Sequence, residues 1–243
     1  MNGSAKGVPA KEEAVPSPKE SPPASKPWIV EDRSVDQVRP LRVVIMGAGI
    51  SGIVACIRFA QRIPEIDLCV YEKNADVGGT WFENRYPGCA CGKYYTISVL
   101  ARPTGIQWLI AVIDIPAHTY QATFAPNPGW TQFYASAKEI WQYWKDVAQK
   151  YGCYRYMKFK QKVVEAIWDD NKAKWCLKVE NLDDGSIHAD ECDVFISAQG
   201  SLNKWKWPDI PGLHDFKGKL VHTAKWDESY DYKVWSNCNK KNR

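Results

Sequence analysis

Short apolar runs separated by polar stretches begin at residue 41 and continue through most of the chain. The run Leu41–Met46 is continuous and apolar, which is typical of a strand buried on both faces of a parallel sheet. A helical segment follows it, and residues 66–72 (IDLCVYE) form a second apolar run. This order predicts a β-α-β unit, the building block of an α/β fold.

A second helix is predicted over Thr131–Tyr151, because apolar residues recur there at helical spacing. Ile140, Trp144 and Val147 lie on one stripe of that helix, which should face the core. The stripe therefore places the helix against the rest of the domain.

Further strands are predicted over residues 157–170 and 174–180, where β-prone residues alternate with polar ones. The turn sequence NLDDGS leads to another strand, and CDVFISAQG (192–200) follows. Together the elements predict an α/β, Rossmann-like fold arranged in three layers.

The first forty residues differ from the rest in composition, being rich in Pro, Ser, Ala, Lys and Glu. Such a segment cannot bury enough apolar surface to offset its ordering entropy. We expect residues 1–40 to form a disordered tail. It has no apolar stretch of the kind that a signal peptide needs, and its acidic residues disfavour an organelle transit peptide.

The composition argues against nucleic-acid binding, a metal site and a membrane span. The chain carries 32 basic and 28 acidic residues, a net charge of +4 that is too small to indicate nucleic-acid binding. Without a secretory signal, its 8 cysteines are expected to be reduced thiols in the cytoplasm. Cys89 and Cys91 lack the spacing and the histidine pair of a zinc site, so no metal is predicted. No apolar run is long enough to predict a membrane span.

The clearest chemical motif is G-x-G-x-x-G, formed by Gly47, Gly49 and Gly52 between the first strand and the first helix. The first glycine permits the tight turn, the second lets the backbone approach a pyrophosphate, and the third lets helix and strand pack closely. The helix N-terminus, at Ile50 and Ser51, then favours the phosphates of a dinucleotide.

An acidic residue, Glu72, ends the second strand twenty residues after Gly52. A carboxylate at this point of the fingerprint is placed to accept the ribose hydroxyls of an adenosine. It suits FAD or NAD and disfavours a 2′-phosphate, but the motif does not separate FAD from NAD.

Two further motifs carry a family resemblance. GGTWFENRYPG spans Gly78–Gly88, and FKGKLVHTAKWD follows the pattern F-x-G-x-x-x-H-x-x-x-W-[P/D] at Phe216, Gly218, His222, Trp226 and Asp227. In this order, after a dinucleotide fingerprint, they resemble class B flavoprotein monooxygenases, specifically the Baeyer–Villiger monooxygenases of fungal type. The resemblance covers about residues 41–91 and 114–233.

The first of these motifs also suggests flavin contacts on chemical grounds. Gly78 and Gly79 allow close backbone approach to a cofactor, while Thr80, Trp81 and Asn84 offer hydrogen-bonding and stacking groups.

The resemblance adds further positions. It implies that Val163 lies near the adenine, that residues 198–200, including Gly200, lie near the cofactor phosphates, and that Tyr120 contacts the flavin. Asp114 is implied to lie closest to the chemistry, where it would orient a catalytic Arg. The fingerprint at residues 216–233 is implied to be a linker that couples NADPH binding to domain motion.

Residues 92–113 interrupt the family pattern, because their removal joins Cys91 directly to Asp114. A strand insertion is one interpretation, since YYTISVL is β-prone. A retained fungal intron is the preferred hypothesis, because codons for Gly92–Tyr94 can contain a splice donor and those for Ile113–Asp114 an acceptor. The family's second glycine fingerprint would follow Lys233, where residues 234–243 form an aberrant tail.

From these patterns we expect an N-terminal part of an FAD-binding domain over residues 41–215, an incomplete fold and a missing NADPH domain. The resemblance implies an enzyme that uses FAD, NADPH and O₂ to convert a ketone into an ester or lactone. It suggests fungal secondary metabolism and a polyketide, terpenoid or steroid-like substrate. Two alternatives stay open: an N- or S-hydroxylating flavin monooxygenase, and a truncated fragment without catalytic activity.

Overall fold

The computed structural model describes Ser34 and residues 40–98, 108–201 and 204–230. The expected tail at 1–40 lies outside the described residues except for Ser34 and Pro40, and the tail at 234–243 lies wholly outside them. The described residues form a mixed α/β fold whose strands, in chain order, are β1 (Leu41–Met46), β2 (Ile66–Tyr71), β3 (Gly92–Ser98), β4 (Trp108–Asp114), β5 (Met157–Lys158), β6 (Gln161–Asp169), β7 (Lys174–Asn181), β8 (Ile187–Cys192) and β9 (Val194–Ser197). The α-helices are α1 (Ile50–Arg62), α2 (Thr80–Glu83) and α3 (Ala137–Lys150).

A four-stranded parallel sheet forms the centre, in the order β5-β2-β1-β9. Because β1 and β2 are covered on both faces, their successive side chains enter two different cores. Val43 and Ile45 face one core, together with residues of α1 and α3, whereas Val44 faces the other. This double burial explains the continuous apolar run at Leu41–Met46 and confirms the predicted Rossmann-type sheet.

The helical layer consists of α1 and α3. The predicted stripe of α3 is confirmed, since Ile140, Trp144 and Val147 are all buried. The predicted start at Thr131 is wrong, because the helix begins at Ala137. The hydroxyl of Ser136 caps it by accepting a hydrogen bond from the Glu139 N–H at 3.3 Å, so the chain before this cap does not continue the helix.

The third layer is an antiparallel sheet of β6, β7 and β8, which covers the other face of the parallel sheet. The single strand predicted over 157–170 is wrong, since it is split into β5 and β6. Lys160, between them, has φ of +54°, a left-handed conformation that turns the chain. The split transfers the chain from the parallel sheet to the antiparallel one.

Arg42 joins the two sheets through its guanidinium group. It donates to both carboxylate oxygens of Asp190, at 2.9 and 2.7 Å, and to the Glu191 carbonyl at 2.8 Å. The Tyr71 hydroxyl also donates to Asp190, at 2.8 Å. Burial alone would raise the pKa of Asp190, but these hydrogen bonds and the charge of Arg42 hold it below its usual value.

The segment 92–113, together with Asp114, supplies β3 and β4, which form a separate two-stranded antiparallel sheet. Its register runs from Gly92 opposite Asp114 to Ser98 opposite Trp108. Just outside the pair, the Ile115 N–H donates to the Cys91 carbonyl at 3.4 Å. The two ends of the segment therefore lie side by side.

Among the described residues, the helices are all too short or too polar to cross a membrane.

Candidate functional site

A cleft of about 710 Å³ opens beside the carboxyl ends of β1, β2 and β9. The chain passes from β1 to β2 on one side and returns much later to β9 on the other, so β1 lies where the strand order reverses. Ligands of open parallel sheets bind at this kind of switch point. The cleft has the size of a small-molecule or cofactor site.

The glycine turn forms the floor of the cleft, and its geometry requires glycine. Gly47 has φ of +104°, and a Cβ there would lie 2.8 Å from the Ala198 carbonyl oxygen. Gly52 lies behind the turn, where a Cβ would lie 1.9 Å from the Gly47 carbonyl oxygen. Gly52 thus lets α1 pack against the glycine turn, whereas the prediction was packing of helix against strand, and Gly47 serves the turn.

The N-terminus of α1 opens into the same cleft. Gly49 is its N-cap, and no described side chain caps the helix. The first N–H groups of a helix have no intrahelical partner, so those at Ile50 and Ser51, which line the cleft, face it with partial positive charge. The backbone of Gly79 lies beside Gly49: a Cβ on Gly49 would lie 3.6 Å from the Gly79 Cα, an ordinary van der Waals contact.

Glu72 lines the cleft but is only 3% exposed. Its Oε2 accepts a hydrogen bond from the Ala48 N–H at 2.6 Å, and its Oε1 accepts one from the Asn74 N–H at 2.8 Å. Burial raises the pKa of this carboxyl, although the two backbone donors oppose the rise. Glu72 therefore braces the glycine turn, a role that the sequence did not predict, and its ribose contact stays a prediction.

Aromatic side chains form another wall. The Trp81 indole N–H donates to the Tyr120 hydroxyl at 3.2 Å, and the two rings meet edge to face with centroids 5.2 Å apart. Gly79 and Thr80, at the start of α2, line the cleft beside them. The structure thus brings together four residues that were predicted to contact a flavin.

Val163, Ala198 and Gly200 also line the cleft, and their contacts with the adenine and the phosphates stay predictions. Several polar residues there were not predicted, among them Gln161, Lys162 and Lys204. No motif marks these three residues in the sequence, because their position depends on how β6 meets the parallel sheet and on where the chain runs after β9.

Asn84 lies apart from these residues, in a second pocket of about 370 Å³ that also includes Arg85 and Trp141. Trp81 borders both pockets. Asp114 is the last residue of β4, opposite Gly92 in the hairpin. Flavin contact by Asn84 and a place for Asp114 near the chemistry stay predictions.

None of the five fingerprint residues is among the described residues that line the cleft. The ring of His222 lies 4.8 Å from that of Trp205 and 5.4 Å from that of Trp207, centroid to centroid. His222 Nδ1 accepts a hydrogen bond from the Ala224 N–H at 3.1 Å. The two tryptophans, which the sequence did not single out, therefore hold the orientation of the histidine.

Phe216 and Asp227, at the two ends of the fingerprint, contact residues that are close in sequence. Phe216 is 60% exposed, and its ring lies over Gly218, where a Cβ would approach it to 2.5 Å. Asp227 accepts a hydrogen bond from Lys219 Nζ at 2.7 Å and one from the Ser229 N–H at 3.0 Å. The Lys219 contact is the main cause that lowers the pKa of Asp227 to about 2. The part that these residues and Trp226 play in binding NADPH stays a prediction.

Known proteins resemble the chain in both sequence and structure. The NAD(P)-binding Rossmann-like domain family matches residues 45–137. The FAD-binding monooxygenase tazF of Aspergillus terreus is 40% identical over 196 residues, which cover 80% of this chain and 31% of that protein. A Baeyer-Villiger monooxygenase of Streptomyces coelicolor is 36% identical over 79% of this chain and 31% of its own length.

Solved structures agree with the sequence matches. The open crystal structure of cyclohexanone monooxygenase superposes with a TM-score of 0.60 and 26% identity, over 79% of this chain and 33% of that one. A steroid monooxygenase bound to NADP superposes with a TM-score of 0.58 and 27% identity, over 78% of this chain and 32% of that one. The chain spans about a third of the length of these relatives.

Proposed function

Because the chain is related in sequence and fold to FAD-binding and Baeyer–Villiger monooxygenases, we propose that it is the FAD-binding part of such an enzyme. The observation that carries this proposal is the open N-terminus of α1, which lies behind a glycine turn at the switch point of the sheet. The whole enzyme would use FAD, NADPH and O₂ to convert a ketone into an ester or lactone.

The described residues suit the parts of FAD. The N–H groups at Ile50 and Ser51 suit the diphosphate, because backbone donors and the helix dipole favour negative charge. The edge-to-face pair Trp81 and Tyr120 offers an aromatic wall and one phenolic hydroxyl to the flavin ring. The bound flavin would supply the redox chemistry, while these residues orient it and exclude water.

A ketone substrate and the use of NADPH rest on the fingerprint Phe216–Asp227 and on the relatives named above. We propose that the substrate is a polyketide, terpenoid or steroid-like ketone of fungal secondary metabolism. We propose a cytoplasmic location. It is supported by the seven cysteines in the described part of the chain, none of which forms a disulfide there, as a reducing compartment favours.

We also propose that residues 92–113 are an insertion in the FAD-binding domain, derived from an intron. Gly92 and Asp114 are cross-strand partners, and such partners have Cα atoms about 4.5–5.5 Å apart. Cys91 precedes Gly92 and accepts a backbone hydrogen bond from the Ile115 N–H at 3.4 Å, so joining Cys91 to Asp114 needs only a local change of the backbone. A chain that lacks 92–113 should therefore still fold, losing only the strand signal of β3 and β4 in far-UV circular dichroism, and should keep its melting temperature. Loss of folding on deletion, or transcripts that all retain codons 92–113, would contradict the proposal.

FAD binding by the purified chain tests the main proposal. We expect FAD fluorescence to be quenched on titration, and Ser51→Asp to weaken binding by about tenfold or more. Ser51 is exposed at the N-terminus of α1, and like charges about 4–6 Å apart repel by well over 1 kcal/mol near a protein surface. Asn171→Asp, an equal charge change in the exposed β6–β7 turn, is the matched control and should bind as the wild type does. A wild-type chain that leaves FAD fluorescence unchanged would refute FAD binding by this chain.

A further inference from the structure

Gln161 occupies the point where the chain leaves the parallel sheet and enters the antiparallel one. It is the first residue of β6 and directly follows the left-handed turn at Lys160. Its backbone N–H donates to the Glu72 carbonyl at 2.9 Å, which fixes the start of β6 beside the end of β2. The residue lines the nucleotide cleft.

The side chain of Gln161 contains a buried acceptor without a partner. Its Oε1 is shielded from solvent and accepts no hydrogen bond from any residue that the structure describes. An unpaired buried amide oxygen is costly, because it has lost its contact with water without replacement. An acceptor of this kind in a ligand cleft indicates that the ligand brings the donor.

The described neighbours do not supply that donor. The ammonium group of Lys73 pairs with Glu83 at 2.8 Å, and that of Lys162 pairs with Glu180 at 3.4 Å. The other unpaired buried polar atom among the described residues, Trp144 Nε1, belongs to the helix-side core and does not line the cleft. Among the described residues, Gln161 Oε1 is therefore the unpaired buried side-chain acceptor whose residue lines the cleft.

The position of Gln161 points to the adenosine half of that ligand. It adjoins Glu72 and lies two residues before Val163, whereas the aromatic wall at Trp81 and Tyr120 is the part suited to the flavin ring. Both carboxylate oxygens of Glu72 already accept backbone N–H groups. An adenosine carries ribose hydroxyls and an exocyclic amine, all of which can donate.

We propose that Gln161 is a specificity-determining residue whose Oε1 accepts a hydrogen bond from the adenosine half of FAD. This inference rests on the proposed FAD binding. It assigns to Gln161 a part of the adenosine recognition that the dinucleotide fingerprint attributes to the acidic residue alone.

The test compares Gln161→Met with Gln149→Met, a matched change at an exposed position near the end of α3. FAD, ADP and FMN are titrated separately into each purified chain, and the melting temperature of each ligand-free chain is measured. Methionine keeps the length of the side chain but removes the amide. We expect Gln161→Met to raise the Kd for FAD and for ADP about three- to tenfold, the size of one neutral hydrogen bond, and to leave FMN binding unchanged.

The ligand-free melting temperature provides the second readout. Because the acceptor has no partner in the protein, replacing it with an apolar group should leave this temperature unchanged or raise it. A fall relative to Gln149→Met would show a structural role and overturn the proposal. Equal Kd values for FAD and ADP in the two variants, or a loss confined to FMN, would also overturn it. If the wild type binds FAD but the variant does so equally well, only the Gln161 inference fails, whereas a wild type that binds neither FAD nor ADP refutes the proposed function as well.

Discussion

Replacing Gly52 with alanine sets two physical effects against each other. Alanine is a better helix former than glycine by about 0.5–1 kcal/mol, and Gly52 lies in the first turn of α1. On helix propensity alone, the substitution should stabilise the protein. The added Cβ, however, would lie 1.9 Å from the Gly47 carbonyl oxygen and 2.9 Å from its carbon.

The steric effect should win because the obstacle is backbone. A carbon and an oxygen need more than about 3 Å, so α1 and the glycine turn would have to separate by about 1 Å. Neither can move freely, since the Gly47 N–H donates to the Tyr71 carbonyl at 2.7 Å and the Ile53 N–H to the Gly49 carbonyl at 2.9 Å. Overpacking of this kind costs about 1–3 kcal/mol, and the backbone clash places the steric cost of Gly52→Ala near the top of that range, before the gain in helix propensity is subtracted.

The assay is urea unfolding followed by far-UV circular dichroism, with Gly129→Ala as the matched control. At Gly129 the nearest atom to an added Cβ is Asn127 Oδ1, at 3.4 Å, in an exposed loop. We expect the free energy of unfolding to fall by about 2–3 kcal/mol for Gly52→Ala and to stay within about 0.5 kcal/mol of the wild type for Gly129→Ala. The steric reasoning is refuted if Gly52→Ala is as stable as the wild type or more stable.

Three further substitutions probe other contacts. Tyr120→Phe removes the acceptor of the Trp81 indole, so FAD affinity should fall about two- to tenfold in a fluorescence titration, and unchanged affinity would contradict a shared role of the pair. Ser136→Ala removes the cap of α3 and should lower the urea-unfolding free energy by about 1 kcal/mol, whereas no loss would show that packing alone sets the helix start. Asp190 has a lowered pKa in the folded state, so its contribution to stability is present above about pH 4 and is lost as the pH falls through the folded value. Asp190→Asn should therefore be less stable than the wild type at pH 7 and should lose less stability between about pH 4 and pH 2. If the free energy of unfolding falls with pH in parallel for the two proteins, the role of the Arg42 contact is refuted.

Local signals in the sequence were sufficient for the parallel sheet and the glycine turn. The apolar run Leu41–Met46 and the spacing of Gly47, Gly49 and Gly52 depend on contacts within one β-α-β unit, so they are visible without the rest of the fold. The start of α3 had a local signal too, since Ser136 and Glu139 form the S-x-x-E pattern of a capping box. The prediction of a start at Thr131 did not use that signal.

The remaining features depend on residues distant in sequence. The break between β5 and β6 arises because Lys160 turns the chain into another layer, and no glycine or proline marks it. Glu72 was predicted to contact a ribose from its place in the motif, but its contacts with Ala48 and Asn74 depend on how the turn packs. Gln161 reaches the cleft only because two sheets meet there, so pattern alone could not identify it.

The pairing of β9 with β1 determines when the parallel sheet can be completed during synthesis on the ribosome. The Arg42 N–H bonds to Asp193 across 151 residues of sequence, and Ala198 forms part of the wall of the cleft. At about 5–20 residues per second, β1 waits roughly 8–30 s after its synthesis for this partner. During that interval one edge of β1 is unpaired, and its free backbone groups can pair with strands of other chains. FAD should therefore be captured late in translation, only after the segment that contains β9 has left the exit tunnel.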